Sequence, residues 1–511
     1  MTTTAGTALE RHRIASHRSQ TQPAVRVAHA LTATTITWGT FAFGAVYPWA
    51  FWPLAVVAFA AGLAGLVAAF PERKEVTTPI SKGLAWSMVA LVSATLVQLI
   101  PVSPKILRAF NPHGVELLRQ WDLTFARDSG SHALSMAPSA TWVAVVLLVS
   151  FSVLLVGTAN VASITGPRRL IGTLTVIGIV MALVGIIQKP LSTLRIYGFW
   201  TPQEGGNPFG PFVNPNHFAA WTLMVLPLAL GYVCSVVART GRGAPGAWRN
   251  RIVWLATRDA NRLILAAMGI VIMGLALVLT LSRSGISALA VALFVMAWTA
   301  VRNQQGRARK LFTAGYFVLL ATMLVGWIGA DVVLNRFRQA DWGSLNGRRH
   351  LWVDASDTFL RHWLTGTGLN TYQFAQLFYQ TRNIAVSYES SAHNDYLQIA
   401  AEGGLLLIIP ATICIAVVIR EIHQRLQEDE SSSAYWVRTG AVTALVAVML
   451  QETVDFSLQI PGNAALFAVV CGLALHRPQR TRGSSRHCAR SSSLVGPGIP
   501  RALHMDCART P

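Results

Sequence analysis

A histidine stands at position 393 in the stretch SSAHNDYL (390–397), directly before a long apolar run. A neutral imidazole accepts a proton near neutral pH, so His393 is a candidate general base for a hydroxyl group. Asp395 or Glu389 could orient it, with Asn394 as a supporting polar neighbour. A histidine that only caps a helix at a membrane interface would have the same spacing, and the motif alone leaves both interpretations open.

Three arginines could bind an anion. Arg283 lies in LSRSG (281–285) between two apolar runs, each long enough to cross a bilayer, where a charge needs a partner or a water-filled cavity. Arg348 and Arg349 are adjacent in GRRHLW (347–352). Guanidinium groups fork onto phosphate oxygens, so the three predict a cationic pocket for a pyrophosphate. The alternatives are snorkelling for Arg283 and solvated or lipid-headgroup positions for the other two.

The stretch FGPFVNPNHF (209–218) offers further polar side chains at the start of an apolar run. Asn214, Asn216 and His217 could bind sugar hydroxyls. A turn followed by a helix cap explains the same residues.

Several cofactor and metal motifs are missing from the sequence. It has no glycine-rich phosphate loop ending in Lys-Ser/Thr, no His-Glu-x-x-His and no Asp-x-Asp pair. We therefore expect no ATP-driven pump, no metal site and no cofactor.

Composition sets the elements that must hold these residues. Of 511 residues, 52% are hydrophobic and 13% charged, about half the charged share of soluble proteins. Mean hydropathy is +0.45. These values predict an all-α, polytopic membrane protein and exclude a disordered chain, a collagen-like repeat and a secreted disulfide scaffold.

Uncharged stretches predict about 12 transmembrane helices, since about 20 apolar residues cross the hydrocarbon core. They lie near residues 29–47, 50–70, 83–100, 140–160, 170–188, 217–238, 263–281, 285–301, 311–329, 396–419, 438–456 and 461–476.

The basic residues predict orientation. With the N-terminus in the cytoplasm, most of the 42 Lys and Arg residues fall on the cytoplasmic side, and both termini are cytoplasmic. The net charge of +20 is therefore a topology signal with attraction to membrane lipids, and nucleic-acid binding is not expected.

We predict five regions along the chain. The 330–395 loop contains Trp352, Ala355, Phe359 and Trp363 at helical spacing, which predicts an amphipathic helix against the membrane surface. The regions are a cytoplasmic tail (1–28), helices 1–9 (29–329), a large periplasmic loop (330–395), helices 10–12 (396–476) and a disordered basic cytoplasmic tail (477–511).

Taken together, the motifs resemble those of the O-antigen ligase and polymerase superfamily of bacterial envelope proteins, over residues 38 to 475. The resemblance is carried by FGPFVNPNH (209–217), LSRSG (281–285), Arg348-x-x-x-Trp352, GTGLNTY (366–372), HNDYL (393–397), EGG (402–404), DF (455–456) and QIP (459–461). The family often has a second glycine where this chain has Leu407, which makes the packing of the tenth span an open question.

The resemblance implies a metal-independent, inverting membrane glycosyltransferase of the GT-C type in the bacterial inner membrane. It would take a glycan from an undecaprenyl-diphosphate carrier and pass it, on the periplasmic side, to a hydroxyl of lipid A-core, another glycan or another acceptor. By motif match, His393 takes the role of the essential histidine, and Arg283, Arg348 and Arg349 bind the diphosphate.

Relatives with the same motifs differ in acceptor. A ligase, which we favour, a glycan or capsule polymerase and a protein O-oligosaccharyltransferase all remain open. A lipid-glycan flippase or permease is the non-enzymatic alternative, for which Glu402 is the one weak midplane charge.

Overall fold

The computed structural model describes part of the chain. The described residues are 23–69, 80–128, 130–191, 194–203, 206–240, 257–302, 315, 342–381, 390–428 and 432–477. The predicted span 311–329, most of the N-terminal tail and nearly all of the C-terminal tail lie outside them.

Helices make up most of the described chain, and one two-stranded antiparallel sheet accompanies them there. The helices of the bundle are α1 (23–41), α2 (Pro48–Ala69), α3 (Lys82–Val97), α7 (Pro138–Thr165), α8 (Arg168–Gln188), α9 (Pro215–Thr240), α10 (Arg258–Leu279), α11 (Arg283–Arg302), α14 (Asp395–Gln427), α15 (Ser432–Gln451) and α16 (Pro461–Leu475). Among the described residues, eight helices are both long and apolar enough to cross a membrane, and α3 and α16 are shorter apolar helices. The prediction of an all-α polytopic membrane protein is confirmed.

Two predicted spans are shifted. The first helix ends at residue 41 and is followed by a 3₁₀ turn at Phe43–Ala45 instead of continuing to 47. The helix predicted at 438–456 ends at Gln451. Glu452 accepts a hydrogen bond from the backbone of Ser457 at 2.6 Å, which closes the loop after this helix.

Small residues let several helix backbones approach closely. A Cβ added at Gly65 of α2 would lie 2.5 Å from the backbone oxygen of Gly157 in α7, and one at Gly231 of α9 would lie 3.0 Å from Gly440 in α15. Such close contacts are how helices pack in lipid, where burial of apolar surface between helices gains little.

Two segments, which we call the outer segments because they lie outside the helix bundle, fold together beyond the helix ends. Residues 101–133 form a strand pair and three short helices, and residues 342–379 form two more helices. They comprise β1 (Pro101–Val102), α4 (Pro104–Phe110), α5 (Pro112–Trp121), α6 (Leu123–Asp128), β2 (His132–Ala133), α12 (Trp342–Arg361) and α13 (Tyr372–Tyr379). His362 joins the two segments through Asn111 at 2.7 Å.

The helix predicted in the 330–395 loop exists as α12, and the centre of its apolar stripe packs against other parts of the protein. Ala355 is fully buried in a cluster with Tyr372 and Ala401, with Phe359 packed against it. Trp363, the last residue of the same stripe, is 52% exposed. The stripe thus packs against the protein at its centre, and its contact with the membrane surface stays a prediction. α13 and α14 supply an apolar partner within the protein, which a sequence pattern cannot distinguish from lipid.

Arginines hold the bundle at the other end of α14. Arg425 is buried and pairs with Glu421 at 3.2 Å, and it also donates to the carbonyl of Leu475 at the end of α16. Arg438 donates to the carbonyls of Arg425 and His476. Guanidinium groups satisfy the free carbonyls and the negative dipole ends of these helices.

Candidate functional site

Four transmembrane helices begin at one membrane face, which we call the site face: α9 at Pro215, α11 at Arg283, α14 at Asp395 and α16 at Pro461. Gln451, at the end of α15, donates to the carbonyl of Asn216 at 2.9 Å. Asn463 donates to the carbonyl of His217 at 3.0 Å. The N-termini of helices carry partial positive charge, so this face favours an anion.

The loop before α14 holds His393 in a strained conformation. Its φ is 47°, in the left-handed region that side chains other than glycine avoid. Trp352 of α12 donates to the His393 carbonyl at 3.4 Å. Asn394 caps α14 through the amide of Leu397 at 3.1 Å and also donates to the carbonyl of Thr453 at 2.9 Å. Asn394 thus fixes the loop that presents the half-buried imidazole.

Phe456 is the residue that both predicted histidines contact. Its ring meets that of His393 edge-on, with centroids 4.7 Å apart, and that of His217 edge-on at 4.8 Å. His217 is buried, and its Nε2 has no hydrogen-bond partner among the described residues. The structure therefore brings together two histidines that are 176 positions apart in sequence.

Arg348 of α12 contacts the loop between α15 and α16, which contains Phe456. Its Nη1 donates to the carbonyl of Val454 at 2.6 Å, beside the buried Asp455. Burial raises the pKa of the Asp455 carboxyl above its ordinary value, although the nearby Arg348 guanidinium and, to a smaller degree, His393 act in the opposite direction. The side chain of Asn216 also interacts with Asp455. Asp455 is thus the acidic group that Arg348, His393 and Asn216 share.

Two further carboxyl groups, those of Glu452 and Asp395, lie close to Asp455. Burial and the neighbouring Asp395 and Asp455 raise the pKa of Glu452 well above its ordinary value, which favours its protonated form. Asp395 accepts a hydrogen bond from Gln459 at 2.5 Å. Its carboxylate is engaged with this loop, and Glu389, the other predicted partner of His393, lies outside the described residues.

Arg283 opens α11 and is half-buried. No hydrogen bond or ion pair among the described residues involves its guanidinium. A Cβ added at Gly285 would lie 2.6 Å from Ala219, so this end of α11 packs against the first turn of α9. Arg283 thus lies at the site face, and Arg349 is an exposed neighbour of Arg348.

Asn214 serves the turn before α9. Its side-chain oxygen accepts from the amide of Asn216 at 2.9 Å. This contact matches the turn-and-cap interpretation of the motif.

The carboxylate of Glu402 accepts three hydrogen bonds from other parts of the protein and thereby holds a turn in place. Its two carboxylate oxygens accept from the amides of Asn370 at 2.8 Å and Tyr372 at 2.9 Å. Gln398 donates to it at 3.2 Å. The GTGLNTY motif is therefore a turn bound to α14.

A break in α14 at Gly404 provides further hydrogen bonds between α14 and the segment that follows α12. At Gly404 φ is 55° and ψ is −164°, and the freed amides of Leu405 and Leu406 donate to the carbonyls of Trp363 at 2.7 Å and Leu364 at 3.0 Å. The end of α12 is thereby bonded to α14, which sets the position of Arg348 relative to His393. Leu407, where the family often has glycine, is accommodated as a buried residue.

Asp455, Phe456 and Glu452 were not predicted as site residues. The signal was present, because two carboxylates lie between two apolar runs, where a charge requires a specific environment. Among the described residues, no group of three or more His, Cys, Asp or Glu is arranged to hold a metal ion.

Residues 268–412 match the family described as O-antigen ligase. The matched segment runs from α10 into α14 and contains Arg283, Arg348, His393 and Glu402. No curated protein sequence matches the chain.

Proposed function

We propose that the chain transfers a glycan from undecaprenyl diphosphate to an acceptor hydroxyl. The match of residues 268–412 to the O-antigen ligase family supports a multi-pass membrane glycosyltransferase of the ligase and polymerase type. The observation that carries this proposal is the meeting of Arg348 and His393 at the loop 454–456. A cation for a phosphate and a base for a hydroxyl are the two groups that such a transfer needs.

The arginines act on the leaving group. As the bond between the anomeric carbon and the phosphate oxygen breaks, negative charge grows on the departing diphosphate. Arg283 and Arg348, with Arg349 at the rim, stabilise that charge, and the helix N-termini of the site face add to it. Arg283 suits this role because no described residue neutralises it.

His393 acts on the acceptor. Its imidazole takes the hydroxyl proton while the acceptor oxygen bonds to the anomeric carbon. The proton later leaves to water, and undecaprenyl diphosphate is released. A single displacement of this kind inverts the configuration at the sugar. Asp455, whose carboxyl group interacts electrostatically with His393, stabilises the imidazolium.

The supporting polar groups fall into two sets. Asn216 and His217, in the first turn of α9, contact Asp455 and Phe456 of the loop that His393 also contacts. The buried Nε2 of His217 has no hydrogen-bond partner among the described residues, which favours a polar ligand group beside it. Asn214, Asn394 and Asp395 shape the backbone around this site.

We place this site on the periplasmic side of the bacterial inner membrane, with both termini in the cytoplasm, following the distribution of basic residues. Among acceptors we favour lipid A-core or a similar lipid-linked hydroxyl. A glycan polymerase and a protein O-oligosaccharyltransferase are the enzymatic alternatives. Glu402 was the candidate for the charged midplane residue of a carrier. Its carboxylate accepts hydrogen bonds from two backbone amides, which supports a structural role and an enzyme over a carrier.

The test is transfer by the purified protein in detergent or vesicles, with a lipid-diphosphate glycan and separate acceptors. The wild-type chain should form product, and His393→Ala should abolish it while folding normally. His423→Ala is the matched control, because His423 is exposed near the far end of α14. Transfer by His393→Ala near the wild-type rate would remove the histidine from the mechanism. Glycan movement across vesicles without transfer by the wild type would favour a carrier.

A further inference from the structure

Five aromatic rings from two separate chain segments pack together at the site face. Phe43 stacks on Trp200, with centroids 5.0 Å apart and planes at 19°, and Tyr47 stacks on Trp49 at 6.2 Å and 11°. Tyr197 lies 5.8 Å from Phe43. We call these five residues the aromatic platform.

The backbone that carries the platform is strained on both segments. The φ angles of Phe43, Ala45 and Tyr197 are 59°, 57° and 54°. Residues with side chains rarely adopt this region, and such strain clusters at ligand-binding positions. Ordinary membrane-interface aromatics on a helix surface need no such backbone.

Hydrogen bonds hold the two segments in register. The Tyr197 hydroxyl donates to the carbonyl of Phe41 at 2.8 Å, and Trp200 Nε1 donates to the hydroxyl of Tyr47 at 3.4 Å. The polar atoms of these side chains are thus used within the protein. Phe43 and Tyr47 are buried, so the rings that remain open to a ligand are those of Tyr197 and Trp200, which are half-buried, and of Trp49. Trp49 is 49% exposed and Phe199, beside the platform, is 70% exposed.

The platform borders the candidate site. A Cβ added at Gly44 would lie 2.7 Å from Ile460 and 3.1 Å from Phe212. Ile460 ends the loop that holds Asp455 and Phe456, and Phe212 precedes the turn that leads to His217. A molecule bound at His393 that extends toward α2 would meet these rings.

We propose that the open rings of the aromatic platform, those of Trp49, Tyr197 and Trp200, form a subsite for sugar rings of the glycan, an inference that rests on the proposed function. The C–H-lined face of a sugar ring packs on an aromatic face, whose quadrupole is negative. The rings lie in the turn after α1, in the loop 194–203 and in the first turn of α2. They are thus at the ends of the helices and not along their lipid-facing sides. This position suits a glycan better than an isoprenoid chain, which runs along the lipid-facing sides of helices.

The first experiment measures binding without transfer. The probe is the soluble oligosaccharide released from its carrier, so it lacks both diphosphate and lipid, and binding to the purified full chain is followed by saturation-transfer NMR and calorimetry. Trp49→Leu and Trp200→Leu should weaken binding about tenfold, whereas Trp49→Phe retains a ring and most of the affinity. Trp86→Leu is the matched control, an exposed tryptophan on α3. Unchanged binding in both leucine variants, or no binding by the wild type, would overturn the subsite.

The second experiment needs no variant, so a misfolded substitution does not end the test. Hydrogen exchange of the wild-type segment 194–203 should slow when the released oligosaccharide is added. Exchange that is unchanged by the oligosaccharide but slowed by undecaprenyl phosphate would assign the platform to the lipid and overturn the proposal.

Where transfer is observed, kinetics distinguish the source of the sugar. Trp49→Leu should raise the KM of either the donor or the glycan-bearing acceptor several-fold and leave kcat near the wild-type value. A variant that lowers kcat alone would contradict a binding subsite. Glycan binding without any transfer would keep the subsite and reject the proposed reaction, so the two hypotheses fail separately.

Discussion

Arg348 of α12 donates a hydrogen bond of 2.6 Å to the main-chain carbonyl of Val454, in the loop between α15 and α16. The two residues are 106 positions apart. The other N–H groups of the guanidinium are not used in this bond. They lie near Asp455, the carboxyl group that also interacts with His393. The hydrogen bond ties the outer segment to the membrane bundle at the point where the proposed chemistry occurs.

Lysine at either key arginine should impair transfer. Arg283→Lys and Arg348→Lys keep the charge but lose the fork that holds two phosphate oxygens, so kcat/KM should fall about a hundredfold. Transfer kinetics with the lipid-diphosphate donor provide the measurement. Arg302→Lys, at the other end of α11, is the control and should behave as wild type. Full activity of both site variants would mean that point charges suffice.

Phe456 should act as a positioning residue for His393. Phe456→Leu removes the edge-on ring contact at 4.7 Å, so the imidazole samples other orientations and kcat should fall about tenfold with little change in KM. Phe456→Tyr keeps the ring and should restore most of the rate. Phe467→Leu within α16 controls for the loss of a phenylalanine elsewhere in the bundle. A wild-type kcat for Phe456→Leu would show that the ring does not orient His393.

The contact of the α12 end with α14 should be intolerant of a single methyl group. A Cβ at Gly366 would lie 2.1 Å from the backbone oxygen of Glu402, and its φ is 66°. Gly366→Ala should therefore lower stability by roughly 1–3 kcal/mol, seen as a lower thermal midpoint in detergent. Gly172→Ala in α8 has nothing within 4 Å and should leave the midpoint unchanged or slightly higher. Equal midpoints for the two variants would argue against a tight contact at this turn.

His362 should make the outer segments sensitive to acid. It contacts Asn111 at 2.7 Å and the Tyr379 hydroxyl at 2.8 Å, a pattern for a neutral ring that donates at one nitrogen and accepts at the other. Burial, with smaller effects of His113 and Arg361, lowers the pKa of His362 to about 4. Its unfolded-state value is 6.5, so the unfolded state takes up the proton first.

Stability should therefore be full above about pH 6.5 and fall by at most about 1.4 kcal/mol per unit as the pH drops toward 4. Thermal unfolding of the purified protein between pH 7 and 4.5 measures this slope. His362→Gln cannot gain the charge and should flatten it, whereas His423→Gln, exposed on α14, should not. An unaltered slope in His362→Gln would show that His362 does not carry the acid sensitivity. The carboxyl groups of Glu452 and Asp455, whose pKa values are raised, act in the opposite direction, since the folded state takes up their protons first.

Much of the architecture could be predicted from the sequence. The lengths of the uncharged runs predict the helices, because a lipid-spanning helix must satisfy its backbone locally and cover itself with apolar side chains. The motifs also selected His393 and Arg348, which the structure brings to one loop. Helix ends were less well predicted, as α15 shows, because caps and loop hydrogen bonds such as that of Glu452 decide where a helix stops.

Tertiary structure decided the partners. An apolar stripe on α12 has the same sequence pattern whether it faces lipid or protein, and only the tertiary structure shows that its central residue, Ala355, packs against Tyr372 and Ala401. Likewise, no local pattern places Phe456 beside His393 or assigns the Glu402 carboxylate to a turn thirty residues earlier. These contacts join distant parts of the chain, and their energies depend on geometry that exists only once the helices have packed.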